Sequence, residues 1–381
     1  MRPVTVNGEY ISPYNLAIRK INAYRGSVNR ELLRKVVKLF TARIVGKLRE
    51  RGVTHLHPYD SKTAINGLEG DGFFKRINRS TSAGHKFRGK KRDYMPIIGD
   101  VDSELTADVL REVREKCEAI RAGVPINVLF NVALKDEARD MEKVRSGKTR
   151  VFYPGDLSML IVARMYLGPV YSLFAAYPEV FCCGLGFNYY RVGDELYRRL
   201  DAFSDVFLEG DYSGYDQSIS ADITWAAYTV IFNVTKELGY NEQALRSIEG
   251  ILTAYMFPLI NMLGDVFCAM ITGSGKYGTA EDNSLKNIIM MMCAFYADDR
   301  SAGKDFFECV LPVVYGDDMI AGVKDEVSWF DNLYYKDYCW DTLGMKYTPA
   351  DKDANFCRFK KLDEVEFLKR QFVFFKGKYR M

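Results

Sequence analysis

The stretch VLPVVYGDDMIAGV, residues 310–323, constrains the fold more than any other part of this 381-residue chain. Two short apolar runs flank a few turn residues, which is the pattern of a β-hairpin. Its turn would carry Asp317 and Asp318 side by side after Gly316. Adjacent carboxylates repel each other, so the pair is costly unless water or a cation neutralises it. A plain hydrophilic Gly-Asp turn is the simpler alternative. Upstream, a strand over residues 205–209 runs into GDYSGYDQSIS, where Asp211 and Asp216 stand five apart. A third carboxylate at the end of a neighbouring strand favours hard oxygen ligation of Mg²⁺, an ion that takes one or two carboxylates plus water and substrate phosphates. Two such ions activate an attacking oxygen and stabilise a leaving one. The chemistry to expect is phosphoryl transfer.

Phosphoryl transfer also needs cations around the phosphates. Residues 135–150, KDEARDMEKVRSGKTR, supply Lys135, Lys143, Lys148 and Arg150 among several acids. A solvated mixed-charge face is one reading; the ending GKTR before VFYPG reads as a basic strand lining a channel. The net charge of +3 hides a second basic run, residues 75–92, with eight Lys or Arg and no Asp or Glu. Such a run is either a solvated face or a nucleic-acid surface. The segment TGSGKYGTAEDN, residues 272–283, contains G-x-G-x-x-G. A dinucleotide site would want an acidic residue about 20 positions on, and Asp298 and Asp299 fall near there. The cofactor reading fails on context: the loop lies mid-chain, lacks a surrounding series of βαβ units, and leaves the carboxylates unexplained.

The length exceeds one ordinary core, and 48% apolar with 14% aromatic residues is too rich for a disordered chain. An amphipathic helix with a basic outer face is expected over residues 11–51, a second helix over 102–123 and a strand over 126–134. No Pro- or Ser-rich linker divides the chain, so interleaved subdomains are expected. The eight cysteines form no C-x-x-C pair, which points to buried free thiols in a reducing compartment and away from a zinc knuckle or disulfide framework. The three histidines leave little room for a histidine-centred site. The apolar span 251–272 is interrupted by Pro258 and Asp265 and reads as buried protein, not as a membrane helix. No signal peptide opens the chain, and a soluble globular protein is expected.

In order along the chain, TSAG (81–84), KDEARDMEKVRSGKTR (135–150), GDYSGYDQS (210–218), GSGKYGTAEDN (273–283), YGDD (315–318), TPADK (348–352) and FLKR (367–370) closely resemble the viral RNA-dependent RNA polymerases of the picornavirus-like group. The resemblance runs from about residue 60 to residue 375. It implies an α+β, right-hand polymerase fold with an antiparallel palm sheet flanked by helices and interleaved fingers. The implied division is fingers at 1–168, palm at 169–247, a fingers insertion at 248–272 and palm again at 273–381. By similarity, Asp211 and Asp317 would hold two Mg²⁺ ions, with Asp318 assisting and Mn²⁺ as a substitute. Lys135, Lys143, Lys148 and Arg150 match the motif lining the nucleotide channel, with Arg150 nearest the triphosphate. Ser274, Thr279 and Asn283 match the loop and helix that support the template and recognise ribose, and Asp216 joins Ser274 and Asn283 in the implied polar set around the 2′-hydroxyl. Lys352 falls where the family's proposed general acid protonates pyrophosphate; a surface lysine is the alternative. Thr81, Ser82 and Gly84 match the template-entrance turn, and Lys369 and Arg370 the motif that grips the primer.

The resemblance implies an enzyme replicating a positive-strand RNA genome in the host cytoplasm, at membrane-associated complexes reached through partners. Those partners are RNA template and primer, ribonucleoside triphosphates, other viral replication proteins and, in some family members, a small protein primer. Two departures stand out: His85 and Lys86 follow TSAG where the family commonly has an aromatic and a proline, and the chain stops at Met381, before a thumb. A separate segment would then supply the thumb. The alternatives are a catalytically incomplete RNA-binding core and a reverse transcriptase, the latter opposed by Asp216 with Asn283 and by the lack of a bulky aromatic gate in DYSGYD.

Overall fold

The computed structural model describes residues 4–6, 9–23, 26–70, 72–99, 101–138, 140–351 and 355–381. At its centre is a four-stranded antiparallel sheet in the order Tyr347–Thr348, Phe207–Tyr212, Asp318–Val323, Val310–Tyr315. The last two strands form the expected hairpin, with Tyr315 paired to Asp318 across a two-residue turn. Gly316 supplies the positive φ of 64° at the first turn position, which an L-side chain adopts only with strain. The neighbouring strand is longer than the sequence suggests and carries Asp211 within it.

Strand alternation gives this sheet two buried faces. Leu208, Tyr212, Met319 and Ala321 join the main core under the helix Thr279–Ala297 and the helix Asn332–Asp341. Phe207, Val313 and Ile320 point the other way into a smaller core. That core is closed by Leu196 and Leu200 of the helix Tyr189–Asp201 and by Leu362, Val365, Phe367 and Phe372. Asp211 shares the face of Phe207 and lies at its open end.

Several expectations are corrected. The helix expected over 11–51 is two, Pro13–Ile21 and Arg30–Glu50. Between them Gly26 donates to the Leu343 carbonyl at 3.1 Å, and a Cβ there would overlap Thr342, so the chain bends where only glycine fits. The single strand expected over 126–134 is split between two sheets. Leu129–Asn131 runs parallel to Leu259–Met262, whereas Ala133–Leu134 pairs with Val151–Phe152. The span 251–272 ends the helix Glu242–Met256 and then forms a hairpin whose outer strand, Asp265–Cys268, is largely exposed. Cys268 and Cys357 are exposed, unlike the other six thiols.

Among the described residues, one helix is long and apolar enough to cross a membrane, Leu157–Ala176. It is mostly buried inside the protein. Its Arg164 donates to the carbonyls of Ala64 and Lys75, both at 2.5 Å, and stacks on Phe74, so protein surrounds this helix. The residue 168/169 division expected between fingers and palm falls inside it.

Candidate active site

Three carboxylates meet at one end of the central sheet. The observed register pairs Gly210 with Met319, and one further step along it sets Asp211 opposite Asp318. On its other side Asp211 pairs with Thr348, whose hydroxyl donates to the Asp211 carbonyl at 3.3 Å. Asp317 occupies the turn. Burial pushes the Asp317 carboxyl above its ordinary range, and the charges of Asp211 and Asp216 add to that. Burial and the charges of Asp317 and Asp211 push Asp318 up to about 6. The turn is fixed from behind by the Thr279–Ala297 helix. Ser284 Oγ accepts from the Gly316 amide at 2.9 Å, and Asn287 Nδ2 donates to the carbonyls of Gly316 and Asp317 at 3.1 and 3.2 Å. Asn287 Oδ1 accepts from Tyr212 at 3.0 Å, so one amide side chain ties the turn to the strand of Asp211.

The same helix carries the amide expected at the ribose. Asn283 Nδ2 donates to Asp216 Oδ1 at 2.7 Å. Its Oδ1 is buried without a hydrogen-bond partner among the described residues. A buried acceptor left unpaired is costly, which makes it a place for a ligand hydroxyl. The loop before the helix projects Ser274 into solvent, with its Oγ accepting from the Tyr153 amide at 3.3 Å. Thr279 behaves differently from Ser274: its hydroxyl faces the Gly273 and Lys276 carbonyls, both at 3.1 Å, and braces the loop. The base of the loop is an ion pair with both side chains fully buried, Lys276 with Asp282.

Cations approach from two sides. Lys135 and Arg150 both face Glu137, at 3.1 and 3.8 Å, and the charge of Arg150 reaches Asp216 and Asp317. Lys143, in the helix Met141–Arg145, and Lys148, in the turn after it, are exposed. On the opposite side Phe367 and Arg370 exchange backbone hydrogen bonds at 2.9 and 3.0 Å around Leu368 and Lys369, which have φ of 53° and 58°. This tight turn brings the charge of Lys369 to Asp318. Arg370 lies near the Tyr189 ring. Lys352 lies outside the described residues.

The TSAG turn sits on the loop that follows Val151–Phe152. The Leu157 amide donates to the Ala83 carbonyl at 3.0 Å, and a Cβ on Gly84, at φ 101°, would meet Gly155 and Asp156. Thr81 accepts from Lys91 Nζ at 2.7 Å, and Ser82 from the Gly84 amide at 3.2 Å. His85 Nδ1 lies 3.1 Å from Asn131 Oδ1.

Sequence reasoning missed Glu209, Asn287 and the buried lysines Lys276 and Lys286. Glu209, buried two residues before Asp211, accepts from Lys360 Nζ at 2.5 Å and from the Glu366 amide, anchoring the 367–370 turn to the strand of Asp211. The available signals were a charge on the apolar face of a strand and an amide four residues after Asn283, one helical turn on.

No tight cluster of three Asp, Glu, His or Cys side chains that could enclose an ion by itself occurs among the described residues. The donor set fits instead an ion that brings water and phosphate oxygens with it, as Mg²⁺ does.

Comparison with known proteins agrees with this geometry. The family model described as "Viral RNA-dependent RNA polymerase" matches residues 15–381. The replicase polyprotein of Drosophila C virus is 28% identical over 342 residues, covering 82% of this chain and 19% of that protein. The genome polyprotein of Human parechovirus 2 is 30% identical over 318 residues, covering 82% and 13%. The chain thus spans only a small part of these curated relatives. The solved structure of a Sicinivirus 3Dpol RNA-dependent RNA polymerase superposes with a TM-score of 0.82 at 19% identity, covering 97% of this chain and 74% of that one. That match establishes the right-hand polymerase fold, and together with the family match it means that this chain belongs to the viral RNA-dependent RNA polymerases.

Proposed function

We propose that the chain is a template-directed RNA polymerase that joins an incoming ribonucleotide to a primer 3′-hydroxyl, in the replication of a positive-strand RNA virus genome. The observation that carries this reading is the meeting of three carboxylates with the buried Oδ1 of Asn283, unpartnered among the described residues, at one end of the sheet. In the reaction, the 3′-oxygen forms a bond to the α-phosphorus, the bond from that phosphorus to the β-phosphate oxygen breaks, and pyrophosphate leaves. Asp211, Asp317 and Asp318 would hold two Mg²⁺ ions, or Mn²⁺, which when bound activate the 3′-oxygen and offset charge on the leaving group. Arg150, with Lys135, Lys143 and Lys148 along its approach, neutralises the triphosphate. Lys352 is the proposed proton donor to pyrophosphate.

Sugar recognition follows from hydrogen-bond chemistry. A 2′-hydroxyl can donate to Asn283 Oδ1, whereas a deoxyribose leaves that acceptor unpaired. This disfavours a reverse transcriptase. Ser274 and Thr279 shape the loop beside the sugar. Thr81, Ser82 and Gly84 guide the template; Lys369 and Arg370 hold the primer phosphates. Fingers at 1–168 and 248–272, with palm at 169–247 and 273–381, is the proposed division. The proposed setting is the cytoplasm of an infected cell, at a membrane-associated complex assembled with other viral replication proteins and a protein primer.

The test is primer extension on a hairpin RNA with ribonucleotides or deoxyribonucleotides and Mg²⁺. Template-dependent incorporation with ribonucleotide preference supports the reading. RNA binding without incorporation would favour an incomplete core, and deoxyribonucleotide preference a reverse transcriptase. In the same assay Arg150→Ala is expected to raise the ribonucleotide KM about tenfold or more, since it removes a charge-assisted contact to phosphate. An unchanged KM would place Arg150 outside the triphosphate site.

A further inference from the structure

Lys286 is a charged residue where the fold offers little water. It lies on the Thr279–Ala297 helix, three residues after Asn283, and is fully buried. Its neighbours Leu285, Ile288 and Ile289 are buried apolar residues. Removing an ammonium group from water is costly, and an apolar side chain would fill the same volume without that cost. Lys286 Nζ donates to Thr272 Oγ1 at 2.6 Å, and the Thr272 amide donates to the Asp216 carbonyl at 3.0 Å. The ammonium is therefore connected, through one threonine, to the residue that holds Asn283.

The charge acts on the same residue. Burial pushes the Asp216 carboxyl up, while the hydrogen bond from Asn283 and the charge of Lys286 oppose that shift. The ionisation state of Asp216 decides what Asn283 can offer. A carboxylate can only accept, so it takes the Nδ2 hydrogen and leaves Asn283 Oδ1 open. A protonated Asp216 could donate to Oδ1 and occupy the acceptor that a 2′-hydroxyl would use.

We propose that Lys286 is a positioning residue for sugar selection: through Thr272 and its charge it keeps Asp216 oriented as a carboxylate, so that Asn283 presents a free acceptor to the ribose 2′-hydroxyl. This inference rests on the polymerase reading above. The other charged and titratable groups packed around Lys286 are Asp282 and Lys276, which form their own ion pair, and Tyr228 of the helix Ala221–Glu237. Burial brings the Lys286 ammonium down to about 8, against the pull of Asp282 and Asp216.

The experiment is single-nucleotide incorporation by the full chain on a primed RNA with Mg²⁺, using ATP or dATP opposite uridine. Lys286→Met is expected to raise the ATP KM about tenfold, while kcat and the dATP values move less than about threefold, a split that points to lost sugar binding. Thr272→Val should lower ATP-over-dATP selectivity in the same direction. The double variant should lower it no further than the larger single effect, because both residues act in one chain. Selectivity within about twofold of the parent for Lys286→Met, or an equal loss for both sugars, would overturn the inference while leaving the polymerase reading intact. If Lys286→Met loses its cooperative melting transition, Thr272→Val decides, since it removes one hydroxyl and retains the lysine. A parent chain that incorporates neither nucleotide overturns the polymerase reading and this inference with it.

Discussion

Asp317→Ala is expected to reduce primer extension by at least about a thousandfold, because it removes a group proposed to hold ions that supply several kcal/mol of charge stabilisation. The same change should leave the metal-free protein as stable as the parent, or more so. Asp317 stands within the field of Asp211 and Asp216, and burial already pushes its carboxyl above the ordinary range. Loss of activity together with loss of the folded state would mean that the effect is structural. Retained extension would remove Asp317 from the reaction.

The cluster gives this argument a pH dependence. The Asp318 carboxyl sits at about 6 against 3.8 for an unperturbed aspartate. As pH rises above about 4, the unfolded chain releases this proton first, so stability present below that pH is lost up to about pH 6. In metal-free buffer Asp318→Asn should therefore raise the melting temperature at about pH 7 and make little difference at about pH 4. A stabilisation of equal size at both values would mean that carboxylate repulsion is not its source.

Parts of the site were legible because local pattern and chemistry coincide. The GDD hairpin combines two apolar runs with a glycine where positive φ is needed. Asp211 and Asn283 belong to compact motifs, and the fold places them beside that turn. The fastenings behind them were not legible. Glu209 and Lys360 are 151 positions apart, and no local pattern couples them. Nothing local marks Lys276 and Asp282 for burial, since charged residues are rarely buried unless paired. Their burial depends on tyrosines from three separate helices. Tyr171 donates to Asp282, and the rings of Tyr228 and Tyr255 lie within 5.6 and 5.0 Å of the Lys276 ammonium. Such a site exists only after long-range packing has formed.

That buried pair carries the second large prediction. Asp282→Ala is expected to destabilise the protein by about 3–5 kcal/mol, because it leaves Lys276 charged, buried and without its partner. Both side chains are fully enclosed, so water cannot replace the lost carboxylate without opening the core. Tyr171 loses its acceptor as well. The pair itself need not stabilise the fold, since two well-packed apolar residues often serve as well as a buried ion pair. Lys276→Met combined with Asp282→Leu should therefore recover most of the stability lost by Asp282→Ala alone. Denaturant midpoints of the parent, the single variant and the double variant test this directly. The double variant should also separate stability from function, because the ion pair fastens the loop that projects Ser274. A stable double variant with weakened nucleotide incorporation would assign the pair to loop positioning, whereas a single variant as stable as the parent would mean that Lys276 does not remain charged inside the core.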